Sequence, residues 1–254
     1  GEDTLSLHDA LPISRVKALS TTRSGGVSVS PWGSLNLGTH VGDKPKSVAA
    51  NRTRLAESLP AEPAWLNQVH GIDVVDAATC RGVPDADAAV ARQGGAVCVV
   101  MTADCLPVLL CDRAGTVVGA AHAGWRGLHS GVIEATLASM GVAPGEVLAW
   151  LGPAIGPAAF EVGSEVRDAF IRSDARSVDA FTAGGQTGKW LADLYQLARL
   201  RLETAGVTAI YGGDFCTHSE EERFFSYRRD GVTGRMASLI WLAADDAGSE
   251  AAPV

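Results

Sequence analysis

Residues 96–127 read AVCVVMTADCLPVLLCDRAGTVVGAAHAGWRG and hold three apolar runs close together. The runs cover 96–101, 106–111 and 116–121, and the polar residues 112–115 separate the last two. Apolar runs of about six residues that end at turn residues are typical of strands buried on both faces. The sequence therefore predicts a sheet at the centre of the molecule that is covered on both sides.

Helical patterns flank this centre. A helix is predicted to begin after Asp43, with Pro45 in its first turn, and Arg52 falls on its apolar face. A second helix is predicted to end at Gly141, and a third to cover roughly 189–205. Strands and helices mixed in this way favour the α/β (α+β) class, as a single layered domain with buried β-sheets flanked by helices.

The composition of the chain indicates which kinds of partner it can bind and in which cellular compartment it works. The chain of 254 residues has a net charge of −8 and no run of Lys or Arg, so nucleic acid and anionic membrane surfaces are disfavoured. No apolar stretch is long enough to predict a transmembrane helix. The five cysteines are odd in number and widely spaced, as reduced thiols of a cytoplasmic protein are. Nothing in the sequence indicates an obligate protein partner.

The two ends differ from the rest of the chain. Residues 1–14 lack the basic-then-apolar order of a signal peptide and fit the remainder poorly, so we predict a leader or a cloning artefact outside the fold. Residues 244–254 consist mainly of small and polar residues and are predicted to form a flexible tail. The remaining segment, 15–243, is long enough for a single catalytic domain.

Three residues are candidate metal ligands. His70 lies in NQVHG, Cys105 in TADCLP and His122 in AAHAGWRG. Cys105 and His122 each lie at or just beyond the end of a predicted strand, where side chains can converge. Imidazole and thiolate are the ligands that zinc prefers, but the spacing matches no common zinc motif. From spacing alone, a small core cysteine and hydrogen-bonded histidines are therefore favoured over a metal site.

Four further polar residues allow a functional or a structural role. Arg126 can bind a phosphate in a bidentate manner, or can stack on its neighbour Trp125 at the surface. Asp104 can support its neighbour Cys105 through a hydrogen bond, or can cap a strand end. Asn36 and His40 interrupt an apolar, glycine-rich stretch, where turn formation is the alternative to a function.

Seven motifs in one order identify a family that the sequence resembles. They are TTRSGGVS (21–28), SLNLGTHVGD (34–43), NQVHG (67–71), TADCLP (102–107), AAHAGWRG (120–127), LGPAIGP (151–157) followed by FEV (160–162), and FFSYRRDGVTGR (224–235). Together they closely resemble the laccase-domain family, also called the YfiH-like or peptidoglycan-editing-factor family. Its members, formerly labelled polyphenol oxidases, are now viewed as purine nucleoside phosphorylases.

The resemblance implies a YfiH-like fold and one zinc ion per chain, held by His70, Cys105 and His122. It also implies phosphorolysis of adenosine, inosine, guanosine and methylthioadenosine, together with adenosine deamination. The partners would be small molecules only, namely purine nucleosides and phosphate. The chain departs from the family at Ala158 and Ala159, which replace a typical Cys-Cys pair, so those thiols are not essential here.

On this basis we assign roles around the zinc site. The catalytic candidates are Asp104, Arg126 and Gln68. The substrate-binding candidates are Asn36, Arg52 and His40. The two arginines are expected to hold anionic groups, and Asn36, Gln68 and Asp104 to surround the sugar or the base.

Three other functions remain open. A copper polyphenol oxidase is disfavoured, because only six histidines and three methionines are available for a multicopper centre. An amidase acting on cell-wall precursor peptides would use Cys105 and His122 as nucleophile and base. A metal-stabilised binding protein is the third alternative, although structural zinc is normally fully ligated by protein.

Overall fold

The computed structural model describes residues 4–6 and 14–244 of the chain. Within them the strands, numbered in chain order, are β1 Thr4–Ser6, β2 Val16–Thr21, β3 Val74–Asp76, β4 Ala88–Ala91, β5 Val97–Thr102, β6 Leu106–Asp112, β7 Val118–Ala123, β8 Val147–Leu151, β9 Glu161–Gly163, β10 Phe181–Ala183, β11 Lys189–Ala192, β12 Ala209–Gly212 and β13 Met236–Leu242. The α-helices are α1 Pro45–Ala56, α2 Trp125–Ser130, α3 Val132–Met140, α4 Ser164–Ser173, α5 Leu194–Thr204 and α6 Tyr227–Asp230. None of these helices is long and apolar enough to cross a bilayer.

The described strands form three sheets. A four-stranded antiparallel sheet has the order β1-β2-β13-β5, and a six-stranded sheet has the order β12-β8-β6-β7-β4-β3. In the larger sheet only the outer pairs, β12 with β8 and β3 with β4, are parallel. A three-stranded antiparallel sheet, β10-β11-β9, shares no strand with the other two, and its Val162, Phe181 and Ala192 lie in one core with residues of the six-stranded sheet.

The two large sheets pack face to face, and this explains the continuous apolar runs. Cys98 and Val100 of β5 point into a core that they share with Leu109 of β6. Val99 and Met101, on the other face of β5, belong to a separate core that also contains Leu55 of α1. The far face of the six-stranded sheet packs against residues of α2, α3 and α5. Both faces of each central strand are therefore buried, which confirms the predicted layered α/β class.

Two helix boundaries differ from the predictions. The helix predicted for 189–205 begins at Leu194, because Lys189–Ala192 pair with β9 and β10, and the Asp193 carboxylate accepts a hydrogen bond from the Gln196 N–H at the new start. Asp43 stands one residue before the N-cap of α1, which is Lys44. The C-cap predicted at Gly141 is confirmed, with φ of 65° in the left-handed region.

The amino-terminal strand β1 corrects part of the prediction that residues 1–14 stand outside the fold. Residues 4–6, which we predicted to stand outside the fold, pair antiparallel with β2. An exposed sheet edge presents free backbone N–H and C=O groups, so pairing there requires no particular side chains. The rest of 1–13, and the predicted flexible tail apart from Ala244, lie outside the described residues, and the proposed domain bounds stay a prediction.

Candidate metal centre and cavity

Strand register brings two of the three candidate ligands together. The chain leaves the four-stranded sheet at the end of β5 and enters the six-stranded sheet at β6, so Cys105 lies where the sheets meet. In the antiparallel pair of β6 and β7, Pro107 is opposite His122, which places Cys105 beside His122. His70 arrives from the loop before β3, and its Nε2 lies 3.8 Å from the Cys105 Sγ. The rings of His70 and His122 have centroids 4.8 Å apart.

Two residues at this point have an unusual backbone. His70 has φ of 61° and Asp104 has φ of 95°, and they are the non-glycine residues with positive φ in the described chain. Such conformations are unfavourable for residues with a Cβ and are retained where the surrounding structure imposes them. Both lie at the candidate ligands, one being a ligand and the other the neighbour of Cys105.

Asp87 holds the loop of one ligand and the ring of another. Its buried carboxylate accepts backbone N–H bonds from Val69, His70 and Gly71 at 3.0, 3.0 and 2.6 Å. The same carboxylate lies 2.7 Å from the Nδ1 of His122. A proton on Nδ1 that is donated to Asp87 leaves the Nε2 of His122 as the atom that can bind a metal. Histidine ligands commonly have a carboxylate partner of this kind, which fixes their orientation.

The glycines of the AHAGWRG motif make room for this arrangement. A Cβ at Gly124 would lie 2.8 Å from the His70 Cδ2 and 3.0 Å from the Cys105 Sγ. A Cβ at Gly127 would lie 3.1 Å from the carbonyl oxygen of Gly71. The two side chains from other loops therefore pack directly against the backbone that begins α2.

The protonation states of Cys105, His122 and Asp87 depend strongly on one another. Burial raises the pKa of the Cys105 thiol, but His122 and His70 outweigh burial and lower that pKa to about 6. Burial lowers the pKa of His122, whereas the Cys105 thiolate and the Asp87 carboxylate raise it to about 9. Burial also opposes ionisation of Asp87, yet hydrogen bonds from His122 and from the Gly71 and Val69 N–H groups bring its pKa below the ordinary value. The geometry thus favours a thiolate at Cys105.

The donor set fits one metal ion. The ligand atoms of His70, Cys105 and His122 all lie within 4.8 Å of one another. Zinc bonds of roughly 2.3 Å to sulfur and 2.0–2.1 Å to nitrogen, at tetrahedral angles, place the two donor atoms about 3.6 Å apart. The 3.8 Å between Cys105 Sγ and His70 Nε2 agrees with that separation. Three protein donors beside a cavity match the ligand count of a catalytic zinc site.

The cluster opens into a cavity of about 550 Å³. The cavity is of the size that accommodates small organic ligands. It is lined by His40, Asn67, Gln68, His70, Met101, Thr102, Ala103, Cys105, His122, Arg126, Tyr227 and Arg235. Two arginines and no carboxylate are among these described residues.

Three of the six other predicted site residues line this cavity. Arg126 stands next to Trp125 in α2, with its guanidinium carbon 4.6 Å from the centroid of that ring. Burial and the charges of two arginines, Arg235 and Arg52, lower the pKa of His40, which favours its neutral form at pH 7. Gln68 donates to the Met101 carbonyl at 2.8 Å and accepts from the Met101 N–H at 2.7 Å. The amide of Gln68 therefore holds the end of β5, with one N–H and one lone pair remaining.

Asn36 is not where we expected it. The side chain is fully buried and does not line the cavity. Its Nδ2 donates to the Gly38 carbonyl and to Asp43, and its Oδ1 accepts from the N–H groups of Gly38 and Arg235. All four hydrogen-bonding positions of the amide are satisfied inside the protein, as in the turn alternative.

Arg52 and Asp104 also lie away from the cavity lining. The Arg52 guanidinium stacks 3.7 Å from the Trp65 ring centroid and donates to the Leu37 carbonyl, so it has a structural role at the inner face of α1. The Asp104 carboxylate accepts from the Thr217 hydroxyl at 2.7 Å and from the Arg228 N–H at 2.6 Å. Asp104, with its positive φ, therefore bonds to α6 and to the loop at Thr217, while its neighbour Cys105 lines the cavity.

Asp87, Arg235 and Tyr227 received no functional role from the sequence, which favours a solvated charged loop for 227–230. Asp87 immediately precedes β4, and an aspartate before a buried strand was the available signal. Arg235 and Tyr227 fall inside FFSYRRDGVTGR, a motif that contributed to the resemblance but received no role. Their place in the cavity depends on contacts between segments almost 200 residues apart, such as the bond from the Arg235 N–H to Asn36.

Comparison with known proteins finds relatives along nearly the whole chain. The family model described as "Multi-copper polyphenol oxidoreductase laccase" matches residues 17–243. A purine nucleoside phosphorylase of Pseudomonas aeruginosa is 58% identical over 90% of this chain and 94% of its own length. The purine nucleoside phosphorylase YfiH of Escherichia coli is 58% identical over 89% of this chain and 94% of its own.

Solved structures show the same fold. A Neisseria meningitidis protein superposes with a TM-score of 0.91 at 55% identity, covering 96% of this chain and 100% of that one. A Bacillus licheniformis protein titled YfiH superposes with a TM-score of 0.86 at 30% identity, covering 95% of this chain and 97% of its own. The layered architecture is therefore common to chains whose sequence identity to this one is as low as 30%.

Proposed function

The chain belongs to the laccase-domain family, described as multi-copper polyphenol oxidoreductase laccase, and from that premise we propose that it is a zinc-dependent purine nucleoside phosphorylase. The observation that carries the proposal is the His-Cys-His cluster at a cavity lined by Arg126 and Arg235. Such a cavity can hold an uncharged nucleoside and an anionic co-substrate together. The substrates proposed are adenosine, inosine, guanosine and methylthioadenosine.

Zinc rather than copper is proposed for the metal. Two imidazoles and one thiolate also occur in blue-copper sites, where a methionine sulfur completes the coordination weakly. Met101 lines the cavity, but its sulfur lies 3.9 Å from a guanidinium nitrogen of Arg52, so another group already engages it. The histidines among the described residues that line the cavity are His40, His70 and His122. A multicopper centre needs many more histidine ligands than these.

The reaction proposed is displacement at the anomeric carbon of the ribose. An oxygen of phosphate bonds to that carbon while the carbon–nitrogen bond to the purine breaks, and the bonding electron pair leaves with the base, which takes up a proton. The products are ribose 1-phosphate and the free purine. A bound zinc ion would supply Lewis-acid polarisation of an oxygen atom in the cavity.

The protein groups hold the reactants for this displacement. Asp87 fixes the orientation of His122 and of the His70 loop. Arg126 is assigned to the phosphate, since its guanidinium lines the cavity and carries a permanent positive charge. His40, which is favoured in its neutral form, can donate one ring N–H and accept one hydrogen bond at the purine edge.

We extend the proposal to adenosine deamination as a second activity. In that reaction water adds to the purine carbon that bears the amino group, and ammonia leaves. The cavity that accepts a purine nucleoside for phosphorolysis would have to present a different atom of the same ring. Product analysis with adenosine separates the two reactions, because deamination gives inosine and phosphorolysis gives adenine.

A second candidate function has a specific observation in its favour. Cys105, His122 and Asp87 form the nucleophile, base and orienting carboxylate of a thiol hydrolase, and the pKa of Cys105 is lowered to about 6. An amidase acting on cell-wall precursor peptides would use this arrangement. Bound zinc would occupy the thiolate and prevent nucleophilic attack, so metal content distinguishes the two functions.

We also propose a cellular compartment and a set of partners for the protein. All five cysteines, Cys80, Cys98, Cys105, Cys111 and Cys216, are unpaired thiols. Unpaired thiols at these positions support the proposed cytoplasmic location, where disulfides are rare. The proposed partners are nucleosides and phosphate, without nucleic acid, membrane or an obligate protein.

The experiment that tests the function follows products by chromatography. Zinc-loaded protein is incubated with inosine and with adenosine, each with and without phosphate. We expect free base and ribose 1-phosphate to appear only with phosphate, and His122→Ala to lose both the metal and this activity. His218→Ala, a histidine outside the cavity lining, serves as the matched control. Intact nucleosides with cleaved cell-wall peptides would contradict the phosphorylase and support the amidase.

A further inference from the structure

Arg235 is a cavity residue held in place by the protein backbone. Its N–H donates to the Asn36 Oδ1 at 3.0 Å. Its Nη1 donates to the carbonyl oxygens of Thr233 and Gly234 at 3.2 and 2.9 Å. These bonds fix one edge of the guanidinium against the main chain, while the residue as a whole lines the cavity.

The packing of the Arg235 stem explains a glycine in SLNLG. A Cβ at Gly38 would lie 2.8 Å from the Cγ of Arg235 and 3.3 Å from its Cβ. The stem of the arginine therefore rests on the Gly38 backbone, and a side chain at this position would displace it. Asn36, which we expected at the sugar, instead accepts hydrogen bonds from the N–H groups of Gly38 and of Arg235 itself.

The residues that the structure describes give the charge of Arg235 no acidic partner. Among residues 14–244, no aspartate or glutamate forms an ion pair with Arg235 or with Arg126. Burial lowers the pKa of Arg235, although the negative charges of Cys105 and Asp104 partly oppose that effect. A partly desolvated cation without a carboxylate is costly unless an anion compensates it. The cavity wall therefore presents two cations to whatever binds beside the metal ligands.

We propose that Arg235 and Arg126 form the subsite for inorganic phosphate, with Gly38 and Asn36 as the residues that position Arg235. This inference rests on the proposed phosphorylase function and adds the co-substrate's location to it. Guanidinium groups bind phosphate oxygens through parallel N–H bonds, which lysine cannot reproduce. The nucleoside then occupies the rest of the cavity, whose lining also includes His40 and Tyr227.

The test separates binding of phosphate from binding of nucleoside. In the zinc-loaded protein, Arg235→Gln is expected to raise the KM for phosphate by about tenfold or more while the KM for inosine changes by less than about threefold. Arg235→Lys should recover only part of the loss. Gly38→Ala, which changes no charge, should raise the phosphate KM by displacing the arginine. Arg172→Gln, on the exposed side of α4, is the matched control.

A direct measurement of phosphate binding tests the subsite even if the protein does not turn over inosine. Isothermal titration of inorganic phosphate into the zinc-loaded protein, without nucleoside, should give at least about tenfold weaker binding for Arg235→Gln than for Arg172→Gln. Wild-type protein that binds phosphate in this way but forms no ribose 1-phosphate would overturn the proposed function and leave the subsite intact. Equal phosphate binding by both variants, with folding verified by thermal melting, would overturn the subsite. Weakening confined to inosine 5′-monophosphate would overturn it as well, by assigning Arg235 to the phosphate of a nucleotide.

Discussion

The carboxylate of Asp87 lies 2.7 Å from the Nδ1 of His122, and both side chains are buried. The same carboxylate accepts the N–H of His70, so one residue orients two of the three candidate ligands. Strand register produces this arrangement, because Ala88 is opposite Ala121 in the pair of β4 and β7 and the adjacent residues are Asp87 and His122.

Asp87→Asn is therefore expected to weaken zinc binding by about 10- to 100-fold, because loss of a carboxylate behind a histidine ligand has effects of this size. The amide presents an N–H where the carboxylate accepted hydrogen bonds, so the His70 loop also loses support. Competition with a coloured chelator measures the affinity.

Asp85→Asn is the matched control for that change. Asp85 lies two residues earlier, is exposed, and bonds to the Asn67 side chain at 2.6 Å. We expect the zinc affinity of the Asp85→Asn variant to equal that of the wild type. Equal affinities for all three proteins would show that Asp87 does not support the ligands.

Gly124→Ala is expected to abolish tight zinc binding. The new methyl group would lie 2.8 Å from the His70 ring and 3.0 Å from the Cys105 sulfur. The backbone at Gly124 has φ of −61°, which suits alanine, so the effect comes from the methyl group alone. Metal analysis after dialysis checks this, with Gly145→Ala as the control, since nothing lies within 4 Å of a Cβ there. Full zinc occupancy in Gly124→Ala would mean that the ligands do not pack as described.

Asp104→Asn is expected to lower the free energy of unfolding by about 1–3 kcal/mol, because a buried acceptor of two hydrogen bonds is replaced. Its effect on zinc affinity should be smaller than that of Asp87→Asn. Denaturant unfolding measures the stability, with the half-exposed Asp168→Asn as control. Unchanged stability together with a large loss of kcat would restore the catalytic role that we first assigned to Asp104.

In metal-free protein, Cys105 is expected to react with iodoacetamide along a titration curve centred near pH 6, because His122 and His70 outweigh burial and lower its pKa to about 6. Below that pH the thiol keeps its proton and reacts slowly, and above it the thiolate reacts fast. Cys111, whose pKa burial raises to about 12, should stay unmodified.

Two comparisons check the origin of this reactivity. His122→Gln should move the midpoint for Cys105 to higher pH, since a positive neighbour is removed. Zinc should protect Cys105 in the wild type. A midpoint at the ordinary thiol value in metal-free wild type would contradict the coupling between Cys105 and His122.

Local sequence patterns predicted the central strands and the end of α3, because periodicity and glycine caps act within a few residues. They failed at 189–205, where pairing of Lys189–Ala192 with β9 and β10 overrides the helical pattern. They also misplaced Asn36 and Arg52, since a polar residue in an apolar stretch indicates a buried partner without identifying it. Asn36 supports Arg235, and Arg52 stacks on Trp65.

The candidate ligands were identified from their chemistry together with the family resemblance, and spacing alone left them undecided. Their convergence depends on register between β6 and β7 and on a loop anchored by Asp87, which are long-range relationships. Arg235 needed the same kind of information, because its position follows from a bond to a residue 199 positions away.

Stoichiometric zinc titration shows whether the cluster of His70, Cys105 and His122 is the zinc centre at which phosphorolysis takes place. Metal-free protein receives increasing zinc in the presence of inosine and phosphate, and the rate of ribose 1-phosphate formation is measured at each addition. The proposed function predicts a linear rise that stops at one equivalent per chain, and no rise in His122→Ala. Activity that is independent of zinc, or that appears only with copper, would contradict the assignment of this cluster as the zinc centre of a purine nucleoside phosphorylase.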